Sequence, residues 1–155
     1  MAYQKLNTSR AWSVTPSDNA PIPQFMLKDS SGTVSTFSGN EITANASEFR
    51  TAGVTRGMVI VNTTTNASAI INAIEDSNKL ELNAAIFAVG DNFQIYGGQN
   101  NGAVLYVGTA GNVRVLTAGN DDVTFSGVQD GSFIPVNCIK VFSTNTTANN
   151  ILALW

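Results

Sequence analysis

The sequence predicts an all-β protein: two small β modules, each a barrel or a sandwich, behind an extended N-terminal arm. Three observations carry this expectation. Short apolar runs recur along the chain, separated by Gly-, Asn- and Asp-bearing turns. Where alternation is legible it has period two, as in Lys79-Leu80-Glu81-Leu82 and Val113–Thr117, the pattern of a half-buried strand. Charged residues make up only 12% of the chain, and Thr, Ser and Asn stand where Lys and Glu usually would. Thr suits a pleated strand and Asn a tight turn.

Residues 1–28 read as the arm. Pro16, Pro21 and Pro23 interrupt both helix and sheet ladders, while Tyr3, Leu6, Trp12, Val14, Ile22, Phe25 and Leu27 make the segment too apolar for a solvated tail. It is expected to dock on something, and its removal through Pro23 to leave the β body folded. Residues 29–98 form the first module. A hairpin is expected over Lys28–Phe37 around Asp29-Ser30-Ser31-Gly32, then strands at Met58–Val61, Ala69–Ile74, Lys79–Leu82 and Asn92–Tyr96. Only Ala46–Ala52 reads as a short helix, ended by Gly53.

The run Gly97-Gly98-Gln99-Asn100-Asn101-Gly102 is the clearest internal boundary, and residues 99–155 form the second module. Strands are expected at Ala103–Val107, Val113–Thr117, Val123–Ser126, Ile134–Phe142 and Ile151–Leu154, with a bulge or turn near Gly127, Gly131 and Pro135. Ile134–Phe142 is apolar on both faces apart from Asn137 and Lys140, which predicts a central strand covered on both sides. The sequence stops within an apolar strand. Trp155 is therefore expected to be packed, in its own sheet or against a neighbouring subunit.

Composition narrows the function. Net charge is −3 and the eight basic residues are scattered, whereas nucleic-acid binding needs clustered cations, so no nucleic-acid partner is expected. There is no histidine, which removes the commonest general base and metal ligand and every Ser-His-Asp or Cys-His arrangement. No Gly-rich phosphate loop stands between a strand and a helix. Asp121 and Asp122 are adjacent on a strand and point to opposite faces, so turn chemistry explains them better than a cation site. No catalytic, cofactor or metal residues are assigned. The single cysteine, Cys138, excludes an internal disulfide and reads as a buried, inert thiol. The five Asn-X-Ser/Thr sequons are what an Asn- and Thr-rich chain produces by chance. No run approaches the ~20 apolar residues of a membrane helix, and residues 1–10 lack a signal-peptide core. Synthesis in a host cytoplasm, with no membrane partner, is expected. A sugar-binding surface built on Trp12, Tyr96, Tyr106 and Trp155 remains a rival reading.

Two stretches carry a resemblance. The first is Phe49-Arg-Thr-Ala-Gly-Val-Thr-Arg-Gly-Met-Val-Ile-Val-Asn-Thr-Thr64, with Lys79-Leu-Glu-Leu-Asn83 and Ile86-Phe-Ala-Val-Gly-Asp-Asn-Phe-Gln-Ile-Tyr96. It resembles a small β module of marine phage structural proteins, with Met58 standing where the module's strand carries Asp. The second runs from Tyr106 to Val115 and continues through Val123-Thr-Phe125, Gly131-Ser-Phe-Ile-Pro-Val136 and Ile151–Trp155. It is similar to the C-terminal region of head-spike base and capsid-associated proteins of tailed phages and gene-transfer agents. The resemblance implies a non-enzymatic virion structural protein, most simply a capsid decoration or head-vertex spike-base protein. Such a protein would form a homo-oligomer and dock on the major capsid protein or other virion proteins. A tail or baseplate adaptor is the alternative. Candidate interface residues are Tyr3, Trp12, Ile22, Phe25 and Leu27 on the arm, with Leu154 and Trp155.

Overall fold

A computed structural model describes residues 8–97 and 100–155, with the backbone alone for residues 25–29. Every regular element in it is a strand. The first eight are β1 (Ala11–Ser13), β2 (Phe25–Thr33), β3 (Thr36–Ser38), β4 (Glu41–Thr43), β5 (Val59–Asn62), β6 (Ser68–Asp76), β7 (Lys79–Leu82) and β8 (Asn92–Gly97). Beyond the Gly-Asn run follow β9 (Ala103–Thr109), β10 (Gly111–Thr117), β11 (Asp122–Val128), β12 (Ser132–Val141) and β13 (Asn149–Leu154). The chain divides into two compact units, Met1–Asp18 with Asn100–Trp155, and Asn19–Gln99.

The middle unit is one antiparallel sheet in the order β2-β8-β5-β6-β7-β4-β3. Its two outer strands, β2 and β3, are consecutive in the chain and separated only by Val34 and Ser35. Laid flat, seven strands would put the outer two about 29 Å apart, at about 4.8 Å per step. Three residue steps of chain span at most about 11 Å. The sheet therefore curls on itself, barrel-fashion, and buries its concave face. Val34, Ile42, Phe49, Ile60, Ile71, Leu80, Leu82, Phe87, Phe93 and Ile95 fill that interior. The Phe93 ring lies 5.8 Å from Phe49 and 6.4 Å, edge-on, from Phe87.

Two local expectations are overturned here. No hairpin forms over Lys28–Phe37, because β2 runs straight through Asp29-Ser30-Ser31-Gly32 and pairs with β8. The turn-forming residues make a bulge instead: Met26 faces Tyr96 and Ser31 faces Gln94, so β2 spends five steps where β8 spends two. Ser30 is buried and its hydroxyl donates to the Ile95 carbonyl at 3.1 Å. A Cβ on Gly32 would stand 2.8 Å from Ser47 Oγ and 2.9 Å from Phe93 Cζ, so the strand needs glycine to lie this close to the core. The expected helix at Ala46–Ala52 is a single turn. The Ala52 N–H donates to the Glu48 carbonyl at 2.9 Å, and Gly53, at φ 76°, then reverses the chain. One turn suffices to drop Phe49 into the core.

The other unit is a six-stranded antiparallel sheet, β1-β13-β9-β12-β10-β11. β12 is central, as its apolar sequence predicts. Alternation is strict on β9, β10 and β13: Ala103, Leu105, Val107, Val113, Val115, Ile151 and Ala153 are buried, and the other residues of these strands are not. Pro135 falls in a bulge, where β12 takes four steps from Ile134 to Cys138 against two on β9.

The expected arm does not stand as a separate segment. Ala11, Trp12 and Ser13 pair with Leu154, Ala153 and Leu152, while Phe25 begins β2 of the middle unit. Ala20 and Ile22 are buried at 2% and 3% exposure. Cutting through Pro23 would strip a strand from one unit and buried side chains from the other, so the segment is part of the folded body.

The turn after β5 hangs on Asn62, which is fully buried. Its amide donates to the Ile86 carbonyl (2.8 Å) and to Asp91 Oδ2 (2.7 Å), and its Oδ1 accepts from the Thr64 and Thr65 N–H groups. Every hydrogen-bonding capacity of that side chain is used. Asn62→Ala is expected to cost about 1–3 kcal/mol for the buried groups it orphans, read as a lower urea midpoint at unchanged m. Asn62→Asp should cost more, because it sets a second carboxylate against Asp91.

Candidate interaction surface

The face of the six-stranded sheet opposite its buried side chains carries a row of apolar groups. Register puts Leu152 of β13 opposite Tyr106 of β9, and Tyr106 opposite Phe133 of β12. Leu154 lies opposite Val104 one step along. The Tyr106 and Phe133 rings meet at 5.4 Å between centroids with a 62° tilt. Phe133 is nevertheless 52% exposed, and Val136, in the Pro135 bulge, is 38% exposed. The sequence expects β12 covered on both faces, and the folded chain leaves the face that carries Phe133 open at that residue. Large apolar side chains left open beside an otherwise packed row mark a surface that gains by covering.

The residues singled out from sequence fall elsewhere. Leu154 and Trp155 are half-buried within their own sheet, because β13 sits between β1 and β9. Trp155 exchanges backbone hydrogen bonds with Arg10, whose guanidinium lies 4.7 Å from the Trp155 ring and 5.3 Å from the Trp12 ring. The two tryptophans are thus bridged by a cation of their own chain, an arrangement worth about 0.5–1 kcal/mol at a partly exposed site. Of the two destinations open to Trp155, its own sheet is the one found. Ile22 is buried and offers no side chain to a partner. Tyr3 and the side chains of Phe25 and Leu27 lie outside the described residues. Phe133 and Val136 were legible only as strand apolars, since the exposure of Phe133 follows from register against β9 and Val136 falls in the Pro135 bulge.

A polar cluster fastens the chain where it leaves this unit. The Asp18 carboxylate accepts from Ser143 Oγ (2.6 Å), Thr144 Oγ1 (2.7 Å) and the Thr144 N–H (3.2 Å). Lys140 Nζ donates to the Asp18 carbonyl at 2.6 Å. The hydroxyl and amide donors favour the ionised carboxyl and lower its pKa from 3.8 to about 2. Beside it Arg114 grips Asp122 through Nε (2.9 Å) and a terminal nitrogen (2.7 Å), with its guanidinium 4.4 Å from the Phe142 ring. Asp121 accepts from the Thr117 hydroxyl and closes the turn around Asn120, at φ 69°. Asp121 is turn chemistry, as expected, whereas Asp122 is held in an ion pair that its turn reading did not include.

A cleft of about 350 Å³ opens between Val14–Pro16 and residues 146–151. Its lining is aliphatic, hydroxyl and amide, with no aromatic platform. Thr146 and Thr147 already accept from the N–H groups of Arg114 and Asn112, and Asn150 donates to Thr109. Of the aromatic residues considered for stacking a sugar, Tyr96 is buried and Tyr106 packs on Phe133. Cys138 is fully buried and burial pushes its thiol up to about 12.

No protein-family model, curated protein or solved structure matches this chain.

Two outcomes follow from these environments. Asp18 contributes stability above its unfolded pKa, near pH 4, and loses it as pH falls through about 2. Thermal melts of wild type and Asp18→Asn should therefore differ at pH 5 and converge by pH 2. The Cys138 thiol should resist a thiol-reactive dye in the native protein and react once in denaturant, because the thiolate is the nucleophile.

Proposed function

We propose that the chain is a non-enzymatic structural protein of a phage-type particle, of the capsid decoration or head-vertex spike-base kind. In this role it self-associates and docks on other virion proteins. The observation that carries the reading is the apolar row Leu152, Tyr106 and Phe133, left open at Phe133. A surface of this kind serves assembly: it buries apolar area at about 25 cal/mol per Å² and demands no reactive group. The low charge of the chain supports the same reading, since neutral hydroxyl and amide groups are cheap to desolvate against a neighbour. The resemblance of residues 49–96 and 106–155 to particle proteins supplies the kind of assembly.

The reading requires the chain to be a stoichiometric component of particles. Mass spectrometry of particles banded on a density gradient, from the cells that make the protein, is expected to find it at fixed copy number. Its absence from intact particles would sink the proposal. Phe133→Ser is expected to leave the folded protein intact by circular dichroism and to lower its occupancy on the particle severalfold. Because Phe133 is already half exposed, its loss should cost the monomer little.

A further inference from the structure

The six-stranded sheet has two edges of different kinds. β1 has three residues, a length that protects an edge by leaving little to pair with. β11 has seven, Asp122-Val-Thr-Phe-Ser-Gly-Val128, and is the last strand on its side. It holds no lysine, arginine or proline. Its one charge, Asp122, is neutralised by Arg114 of the neighbouring strand. Residues 121–124 and 126–127 are exposed. Proteins ordinarily blunt such an edge with a free charge, a proline or a covering loop, and here none of these is present among the described residues.

Register shows which backbone groups the edge presents. The Thr117 N–H donates to the Asp121 carbonyl at 2.9 Å, so that pair is hydrogen-bonded across β10 and β11. Counting on in steps of two, Val115–Val123 and Val113–Phe125 are the bonded pairs. The intervening residue, Arg114, turns its backbone the other way: its carbonyl accepts from Phe142 and its N–H donates to Thr146. The partners of β10's outward-turned residues are Asp122 and Thr124, whose N–H and C=O groups therefore point off the sheet, with Ser126 following at the start of the bulge. Further on, the Gly127 N–H turns back to Asn112 Oδ1 at 2.9 Å, where a bulge ends regular pairing. The available edge is thus Asp122 to Ser126.

We propose that this edge pairs with the same edge of a second copy of the chain, antiparallel about a two-fold axis at Thr124. In that register Thr124 faces Thr124, Asp122 faces Ser126, and Val123 faces Phe125 of the other copy. The pairing is self-complementary in three respects. The outward backbone groups fall opposite one another in the bonded phase. Neither Asp122 confronts the other, so no like charges meet. Val123, 39% exposed, and Phe125, half-buried, share a face with buried Val113 and Val115, so each covers the other across the new seam. An interface of this isologous type closes after two copies, and the short β1 leaves this sheet no second long edge among the described residues.

The inference rests on the assembly reading and names the partner and the strand through which one self-contact forms. The experiment is light scattering of the full chain across a dilution series, for wild type, Thr124→Pro and Ser126→Glu. Proline at 124 removes a donor aimed away from the intramolecular ladder, and glutamate at 126 sets a carboxylate opposite Asp122 of the other copy. Wild type is expected to show a dimer mass, and each variant to raise the dissociation constant about tenfold or more with an unchanged circular dichroism spectrum. If proline disturbs the fold, Ser126→Glu decides alone. A wild-type mass that stays monomeric overturns the edge pairing, and so does an oligomer that Ser126→Glu leaves intact. Neither result touches the particle reading, which the composition of purified particles decides.

Discussion

The pairing of β1 with β13 is the constraint on which the rest depends. It brings Ala11–Ser13 against Leu152–Leu154, more than 130 residues away in sequence, and makes the whole middle unit an insertion between Asp18 and Asn100. Closing so long a loop costs entropy that local turns do not repay. The seam is therefore reinforced on both sides of the strand. Arg10 bridges Trp12 and Trp155 at one end, and Asp18 is held by Ser143 and Thr144 at the other. The second fastening stands at the last residue before the chain departs into the middle unit, where a loose exit would otherwise peel β1 from its partner.

The middle unit meets a different constraint. With Val34 and Ser35 alone between its outer strands, the sheet has to curl, and curling gives it an interior without a second layer. A curled sheet needs sharp local geometry, and the chain obtains it with few charges. The β2 bulge, Gly32 against Phe93, and the Asn62 node holding the turn after β5 each use a small or amide side chain at a place where a longer one would not fit. The same economy recurs in the other unit: Asn120 and Asn145 hold positive φ, and Gly111 passes so close to the Ala148 backbone that a Cβ has no room.

Low charge and abundant Asn and Thr thus have a structural cause before any functional one. They also leave a surface that is inexpensive to desolvate. On the proposed reading, the flat apolar row at Phe133 and the unprotected edge at β11 divide the work of assembly, one toward the particle and one toward a second copy. The two lie on one sheet.

The all-β class and nearly every strand after Gly102 were legible in the sequence, because period-two alternation and Gly-Asn turns act over a few residues and tertiary context did not override them. Val113–Thr117 and Lys79–Leu82 are strands for reasons their own side chains contain. The buried thiol of Cys138 and the turn role of Asp121 were readable in the same way. What the tertiary structure alone decided is long-range. Asp29-Ser30-Ser31-Gly32 has the local chemistry of a hairpin, yet pairing with β8 made it a bulge. Residues 8–28 read as an arm because their prolines and sparse apolars carry no period, and only distant strands showed that Trp12 and Ile22 belong to folded units. Phe133 and Ile134 are equally apolar in sequence. Which one faces the core was settled by register against β9, and register is a property of two strands at once.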